Sequence, residues 1–96
     1  MALNDLASSL QMPAILAGDF NATPDSRTIE ILKEHWTVAG ADNVAPTYPS
    51  NEPEIKIDYI FFAPANRWQV RETRVIQDPV ASDHCAFWVS LELTAE

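Results

Sequence analysis

Three short groups of polar residues stand in otherwise apolar stretches, and their side chains could do chemistry. The first is residues 18–21, Gly-Asp-Phe-Asn, where an apolar run ends in a carboxylate and a carboxamide two positions apart. Because a strand alternates its faces, Asp19 and Asn21 can point to the same side. Asp and Asn are also typical of turns closed by local backbone hydrogen bonds, and turn chemistry alone favours that structural role.

The second group is a single carboxylate, Asp58, inside the apolar stretch IKIDYIFF. Alternation along a strand puts it on the same face as Ile60 and Phe62. An ionised carboxylate buried among such side chains is strongly unfavourable unless it is paired. Asp58 therefore either begins the strand at its solvent-exposed end or has a partner elsewhere in the chain.

The third group is Ser-Asp-His-Cys at residues 82–85, where a loop enters the last predicted strand. His84 is a candidate general acid or base, or a phosphate ligand, although a lone histidine at such a junction is more often structural. Cys85 should point to the opposite face of the strand, so we expect a buried thiol rather than a nucleophile. His35 is assigned no role.

Oxygen-rich side chains with one imidazole suit metal-assisted phosphoryl chemistry. Hard divalent cations such as Mg²⁺ take carboxylate, phosphate and water oxygens. The sequence has no Gly-rich phosphate loop, no Cys/His zinc spacing and no Gly-x-Ser-x-Gly motif. Six Lys+Arg against fourteen Asp+Glu give a net charge of −8, which disfavours nucleic acid as a partner unless a divalent cation supplies positive charge.

The elements that must position these groups follow from the hydrophobic pattern. It predicts helices over residues 3–11 and around Ile29, Leu32 and Trp36, and strands over residues 14–17, 55–62, 68–76 and 87–93. The uninterrupted apolar run at 14–17 is typical of a strand buried on both faces. This order predicts an α/β fold, a mixed β-sheet with two helices on one face, which leaves the other sheet face without a covering layer.

The totals limit the class of protein. A chain of 96 residues is enough for one small domain, and no apolar segment approaches the length of a membrane span. Residues 1–5 lack the pattern of a signal peptide. The single cysteine favours a reducing, cytoplasmic localisation, although the localisation stays unknown.

Three motifs in order, GDFNATPDS, IDYIFF and SDH, resemble the C-terminal part of the endonuclease/exonuclease/phosphatase superfamily. TYPS at residues 47–50 is also similar to that family's approach to the IDYIF strand. The superfamily includes apurinic-site endonucleases, deoxyribonucleases, sphingomyelinases and inositol-polyphosphate phosphatases. The resemblance runs from about residue 6 to residue 93 and is strong because the motifs keep their order.

The resemblance implies a role for each site residue. Asp19 matches the aspartate that handles the attacking water or the leaving group, and Asn21 matches the asparagine that helps to place the phosphate and a metal. His84 matches the histidine at the scissile phosphate, and Asp58 matches the carboxylate that pairs with it. Asp83 matches an aspartate at the metal. The implied cofactor is Mg²⁺ or Mn²⁺, held by Asp83, Asp19 and Asn21.

The resemblance also implies that part of the family's fold is missing. Family members are four-layer α/β sandwiches, and the sequence shows none of the N-terminal motifs that supply a metal-binding glutamate. Residues 1–96 are therefore expected to be the C-terminal portion of one domain with its N-terminal half absent. We expect weak Mg²⁺ binding and slow turnover of a phosphate ester, and a homodimer through the exposed sheet face. The alternative is a catalytically inactive, self-associating structural module.

Overall fold

The computed structural model describes residues 2–9 and 12–95. Two helices and five strands follow one another, with a short 3₁₀ helix, Ala65–Arg67, after the third strand: α1 Ala2–Ser9, β1 Ala14–Asp19, α2 Arg27–Leu32, β2 Thr37–Val38, β3 Asp58–Ala63, β4 Trp68–Ile76 and β5 Ala86–Leu93. This content confirms the α/β class. Within the described residues, no helix is long and apolar enough to cross a membrane.

The strands form two antiparallel sheets where one mixed sheet was expected. The first has the order β1-β3-β2, and the second is a long ribbon of β4 and β5. Since β1 and β2 occupy the two edges of β3, the later strands pair with each other. The hydrophobic pattern missed β2 because two residues are too few to show a period.

Helix α2 supplies the centre of the core. It begins after Ser26, whose hydroxyl oxygen accepts a hydrogen bond from the Ile29 N–H at 3.3 Å and so satisfies an amide with no partner inside the helix. Ile29 and Leu32 are fully buried against Phe61 of β3. Trp36 lies beyond the end of α2 but packs into the same core, as its spacing predicted.

Helix α1 is held to α2 by side chains that bond to backbone. The Asn4 amide nitrogen donates to the Ile31 carbonyl oxygen at 2.6 Å, and the Trp36 indole N–H donates to the Leu3 carbonyl oxygen at 3.1 Å. The helix predicted over residues 3–11 is therefore present, and residues 10 and 11 lie outside the described residues.

The two faces of the three-stranded sheet differ in cover. The face that carries Phe61 packs on the helices, whereas Ile15, on the opposite face of β1, is 51% exposed. The prediction that strand 14–17 is buried on both faces is therefore wrong, because the ribbon reaches only part of that opposite face, where Trp68 contacts Phe62 at a ring-centroid distance of 6.5 Å. An uninterrupted apolar run does not reveal whether a second layer covers it.

Candidate active site

Two carboxylates meet at one end of the three-stranded sheet. Asp19 is the last residue of β1 and Asp58 the first of β3, and the antiparallel register places them directly opposite each other. Residues directly opposite share a face, so both point to the side away from the helices. Like charges at such positions repel each other, and the pair therefore calls for a compensating cation.

His84 supplies that partner from the loop before β5. Its Nδ1 lies 2.9 Å from Asp58 Oδ2, and its Nε2 lies 3.6 Å from Asp19 Oδ2. The Asp58 side chain is only 18% exposed, and a buried carboxylate needs a partner. The His84 imidazole is that partner. The structure thus brings together three residues from three separate motifs.

The environment of His84 favours its charged form. The hydrogen bond with Asp58 raises the pKa of His84 above its ordinary value, and desolvation opposes the rise. The negative charges of Asp58, Asp19 and Asp83 raise this pKa further. The hydrogen bond between Nδ1 and Asp58 also fixes the orientation of the imidazole ring. The other ring nitrogen, Nε2, is therefore directed toward Asp19.

Two hydrogen bonds join the turn after β1 to β3 and to the residue just before β3. The Phe20 N–H donates to the Ile57 carbonyl oxygen at 2.9 Å, and the Tyr59 hydroxyl donates to the Ala22 carbonyl oxygen at 2.7 Å. Burial, and then the charges of nearby carboxylates, raise the pKa of Tyr59 to about 12, so this hydroxyl remains a donor. Gly18, at a φ of 153°, has a conformation that residues with a Cβ rarely adopt.

An open pocket of about 370 Å³ lies beside the three residues. Asp19, Asp58 and His84 line its polar part, and Ile60 and Phe87 line its apolar part. The pocket therefore presents an imidazole, whose raised pKa favours the charged form, between two carboxylates, an arrangement suited to a phosphate group with an accompanying cation.

The family model described as the Endonuclease/Exonuclease/phosphatase family matches residues 1–84. The chain belongs to this family. Membership supports a hydrolase function of the endonuclease/exonuclease/phosphatase type, and the matched span contains all three site residues. No curated protein and no solved structure matches the chain significantly.

The backbone of Asn21 forms the turn after β1 by bonding to the site residue Asp19. Its backbone N–H donates to Asp19 Oδ1 at 2.8 Å, and its φ is 48°, so the structural role weighed for this pair is present. The other Asp19 oxygen remains directed at His84. Among the described residues, no hydrogen bond joins the Asn21 side chain to this group, and its phosphate and metal roles stay predictions.

Asp83 lies next to His84 in sequence but outside the group of three. It is exposed, and its carbonyl oxygen accepts a hydrogen bond from the Ser50 N–H at 2.7 Å. Its carboxylate acts on His84 only as the weakest of the charges that raise the pKa of that imidazole. The metal role implied for Asp83 therefore also stays a prediction.

A metal ion fits part of this donor set. Potential ligand atoms of Asp19, Asp58 and His84 lie within 4.8 Å of one another, and carboxylate oxygens are the ligands that Mg²⁺ and Mn²⁺ prefer. Asp19 is the most accessible of the three, since its side chain is 37% exposed. Of the predicted ligands Asp83, Asp19 and Asn21, only Asp19 belongs to this group.

Sequence reasoning noted TYPS but assigned none of its residues a role. The fully buried Thr47 accepts hydrogen bonds at Oγ1 from the Ile57 and Asp58 N–H groups, at 3.2 and 3.3 Å. Tyr48 packs its ring on His84. The TYPS motif could have indicated these roles, because it places a hydroxyl and an aromatic ring shortly before the strand that carries Asp58. From there the two side chains can reach the start of β3 and His84.

Lys56 was missed altogether. Only 5% of it is exposed, and its ammonium group donates to the Asp58 carbonyl oxygen at 3.1 Å and lies 3.9 Å from the Phe87 ring centroid. Burial lowers the pKa of Lys56, and the negative charge of Asp58 opposes this shift. Nothing in the local sequence distinguishes this buried lysine from an exposed one.

Proposed function

We propose that the chain contributes to a site for metal-dependent hydrolysis of a phosphodiester or phosphomonoester bond. The observation that carries the proposal is the placement of His84 between Asp58 and Asp19, at 2.9 and 3.6 Å, at the edge of a pocket. Family membership supports the same reaction class.

Each side chain then has a role in the reaction. Asp58 holds the imidazole by Nδ1 and favours its cationic form, which leaves His84 to contact a non-bridging phosphate oxygen. Asp19 takes a proton from the attacking water. The water oxygen bonds to phosphorus as the bond to the leaving oxygen breaks, and that oxygen takes a proton from solvent water. Asp19, with Asn21 and Asp83 as the further predicted ligands, would hold Mg²⁺ or Mn²⁺, which would supply positive charge beside the phosphate.

The substrate class follows from charge. With a net charge of −8, a small phosphodiester, a phospholipid headgroup or a nucleotide suits the pocket better than a long nucleic acid. The chain is proposed to be the C-terminal portion of a single domain and to pair through its exposed sheet face. The exposed Ile15 supports the second candidate, an inactive self-associating module.

Hydrolysis of a chromogenic phosphodiester and a chromogenic phosphomonoester, with Mg²⁺ or Mn²⁺, tests the proposal. His84→Ala should abolish the activity, while His35→Ala, a matched change at an exposed histidine outside the pocket, should retain it. Equal rates for wild type and His84→Ala would refute the assigned site. No hydrolysis by the wild-type chain with either ion would favour the inactive module.

A further inference from the structure

We propose that Tyr48 is a positioning residue that fixes the ring plane of His84. The effect of Tyr48 on catalysis rests on the hydrolytic function proposed above. Its contact with His84 does not depend on that function. The two ring centroids lie 4.7 Å apart, and the ring planes are inclined at 49°. The two rings therefore pack against each other out of a common plane, whereas both carboxylates contact ring nitrogens.

Edge contacts alone leave the imidazole free to tilt. Asp58 holds Nδ1 at 2.9 Å, so the carboxylates oppose rotation of the ring about that contact only through the interaction of Nε2 with Asp19. The second interaction is also long, at 3.6 Å, so it restrains the ring weakly. An aromatic ring packed against the imidazole at a centroid distance of 4.7 Å restricts the remaining rotation, and Tyr48 is placed to do so.

Tyr48 can act in this way because its own backbone is held on both sides. Its N–H donates to the Ile55 carbonyl oxygen at 3.0 Å, and its carbonyl oxygen accepts from the Ile55 and Glu54 N–H groups at 3.1 and 3.0 Å. These bonds connect Tyr48 to the segment that leads into β3 and Asp58. The aromatic ring is therefore anchored to the same element as the carboxylate that binds His84.

The residues around Tyr48 also bind the residues around His84. The Cys85 N–H donates to the Thr47 carbonyl oxygen and the Ser50 N–H donates to the Asp83 carbonyl oxygen, both at 2.7 Å. The Ser50 hydroxyl donates to the Ser82 carbonyl oxygen. The segment 47–50 thus holds the backbone on either side of the histidine, so the ring contact is part of a continuous attachment between the two loops.

The hydrogen-bonded Nδ1–H of His84 gives a direct readout. In the metal-free protein, NMR measures how fast this proton exchanges with water, and the rate depends on how often the imidazole leaves Asp58. Tyr48→Leu removes the aromatic face and should raise the rate two- to tenfold, which corresponds to about 0.4–1.4 kcal/mol. Tyr48→Phe keeps the ring and should leave the rate unchanged.

Several outcomes would overturn the proposal. An unchanged rate in Tyr48→Leu would show that the ring does not restrain His84, and an equal rise in Tyr48→Phe would assign the effect to the hydroxyl. The amide spectrum reports whether Tyr48→Leu is folded. If it is not, Tyr48→Met, which keeps an unbranched apolar side chain, takes its place with the same expected rise.

The kinetic measurement separates this proposal from the function on which it rests. With a chromogenic phosphodiester, Tyr48→Leu should lower kcat with little change in KM. The Tyr48→Phe variant should keep the kcat of the wild type. A rise in KM at unchanged kcat would contradict a positioning role. If the wild-type chain does not hydrolyse phosphate esters, the proposed function fails, and the exchange rates still decide the role of Tyr48.

Discussion

Replacing Thr47 by valine removes one buried hydroxyl and changes the side-chain volume little. Thr47 has no exposed surface, and its Oγ1 accepts from the N–H groups of Ile57 and Asp58 at 3.2 and 3.3 Å. Valine offers no acceptor, so the two amides at the start of β3 lose their partner. The change therefore acts on the backbone that carries the site carboxylate.

The expected cost follows from those two amides. A buried N–H without a partner costs about 1–3 kcal/mol. Both bonds are long and share one acceptor oxygen, so the combined loss is smaller than twice the cost of one well-formed bond. A loss of about 2–4 kcal/mol in the free energy of unfolding is expected, a large share of the stability of a small domain.

Urea denaturation of wild type and Thr47→Val measures the loss at an unchanged m-value. Thr28→Val is the matched control, because Thr28 lies exposed on α2 and the same change should alter stability by less than about 0.5 kcal/mol. Amide exchange at Asp58 should also accelerate in Thr47→Val. A loss no larger than that of the control would refute the assigned role of the hydroxyl.

Three other predictions concern the imidazole, the core and the open sheet face. Asp58→Asn should lower the pKa of His84 in an NMR titration, and an unchanged pKa would contradict the 2.9 Å contact. Because the folded pKa is raised, the stability contributed by this pair is full below the unfolded pKa of His84 and disappears as the pH rises through the folded one. Phe61→Ala should cost about 3–5 kcal/mol in thermal unfolding, whereas Val80→Ala, at a 97% exposed site, should cost almost nothing. If two copies pair through β1, the wild type should sediment as a dimer and Ile15→Lys as a monomer. A wild-type monomer at high micromolar concentration would contradict the pairing.

Strand alternation located much of the candidate site from sequence. It placed Asp58 on one face with Ile60 and Phe62, and the register opposite β1 agrees. The cost of burying a carboxylate then left two alternatives for Asp58, an exposed strand end or a partner, and the family resemblance implied His84 as that partner. The first inference depends on a local period, whereas the contact of Asp58 with His84, which the structure shows, was available only through the resemblance.

Contacts between distant segments were not predictable in this way. Lys56 meets Phe87, and Tyr48 meets His84, only because the ribbon folds back onto the start of β3. A local period carries no information about such long-range packing. The same limit explains the error at Ile15, since an apolar run looks alike whether one or both of its faces are covered.

The site lies across the seam between the two sheets. Asp19 and Asp58 belong to the three-stranded sheet, whereas His84 immediately precedes the ribbon strand β5. The described strand pairings do not cross this seam, and side chains such as Lys56 against Phe87 join its two sides. Detachment of the ribbon together with its loop, which also breaks the hydrogen bonds of Thr47 and Ser50 with residues 82–85, would therefore withdraw the imidazole while the helix-packed core stays intact. Heating should then break the contact between His84 and Asp58 at a temperature below the one that melts the core.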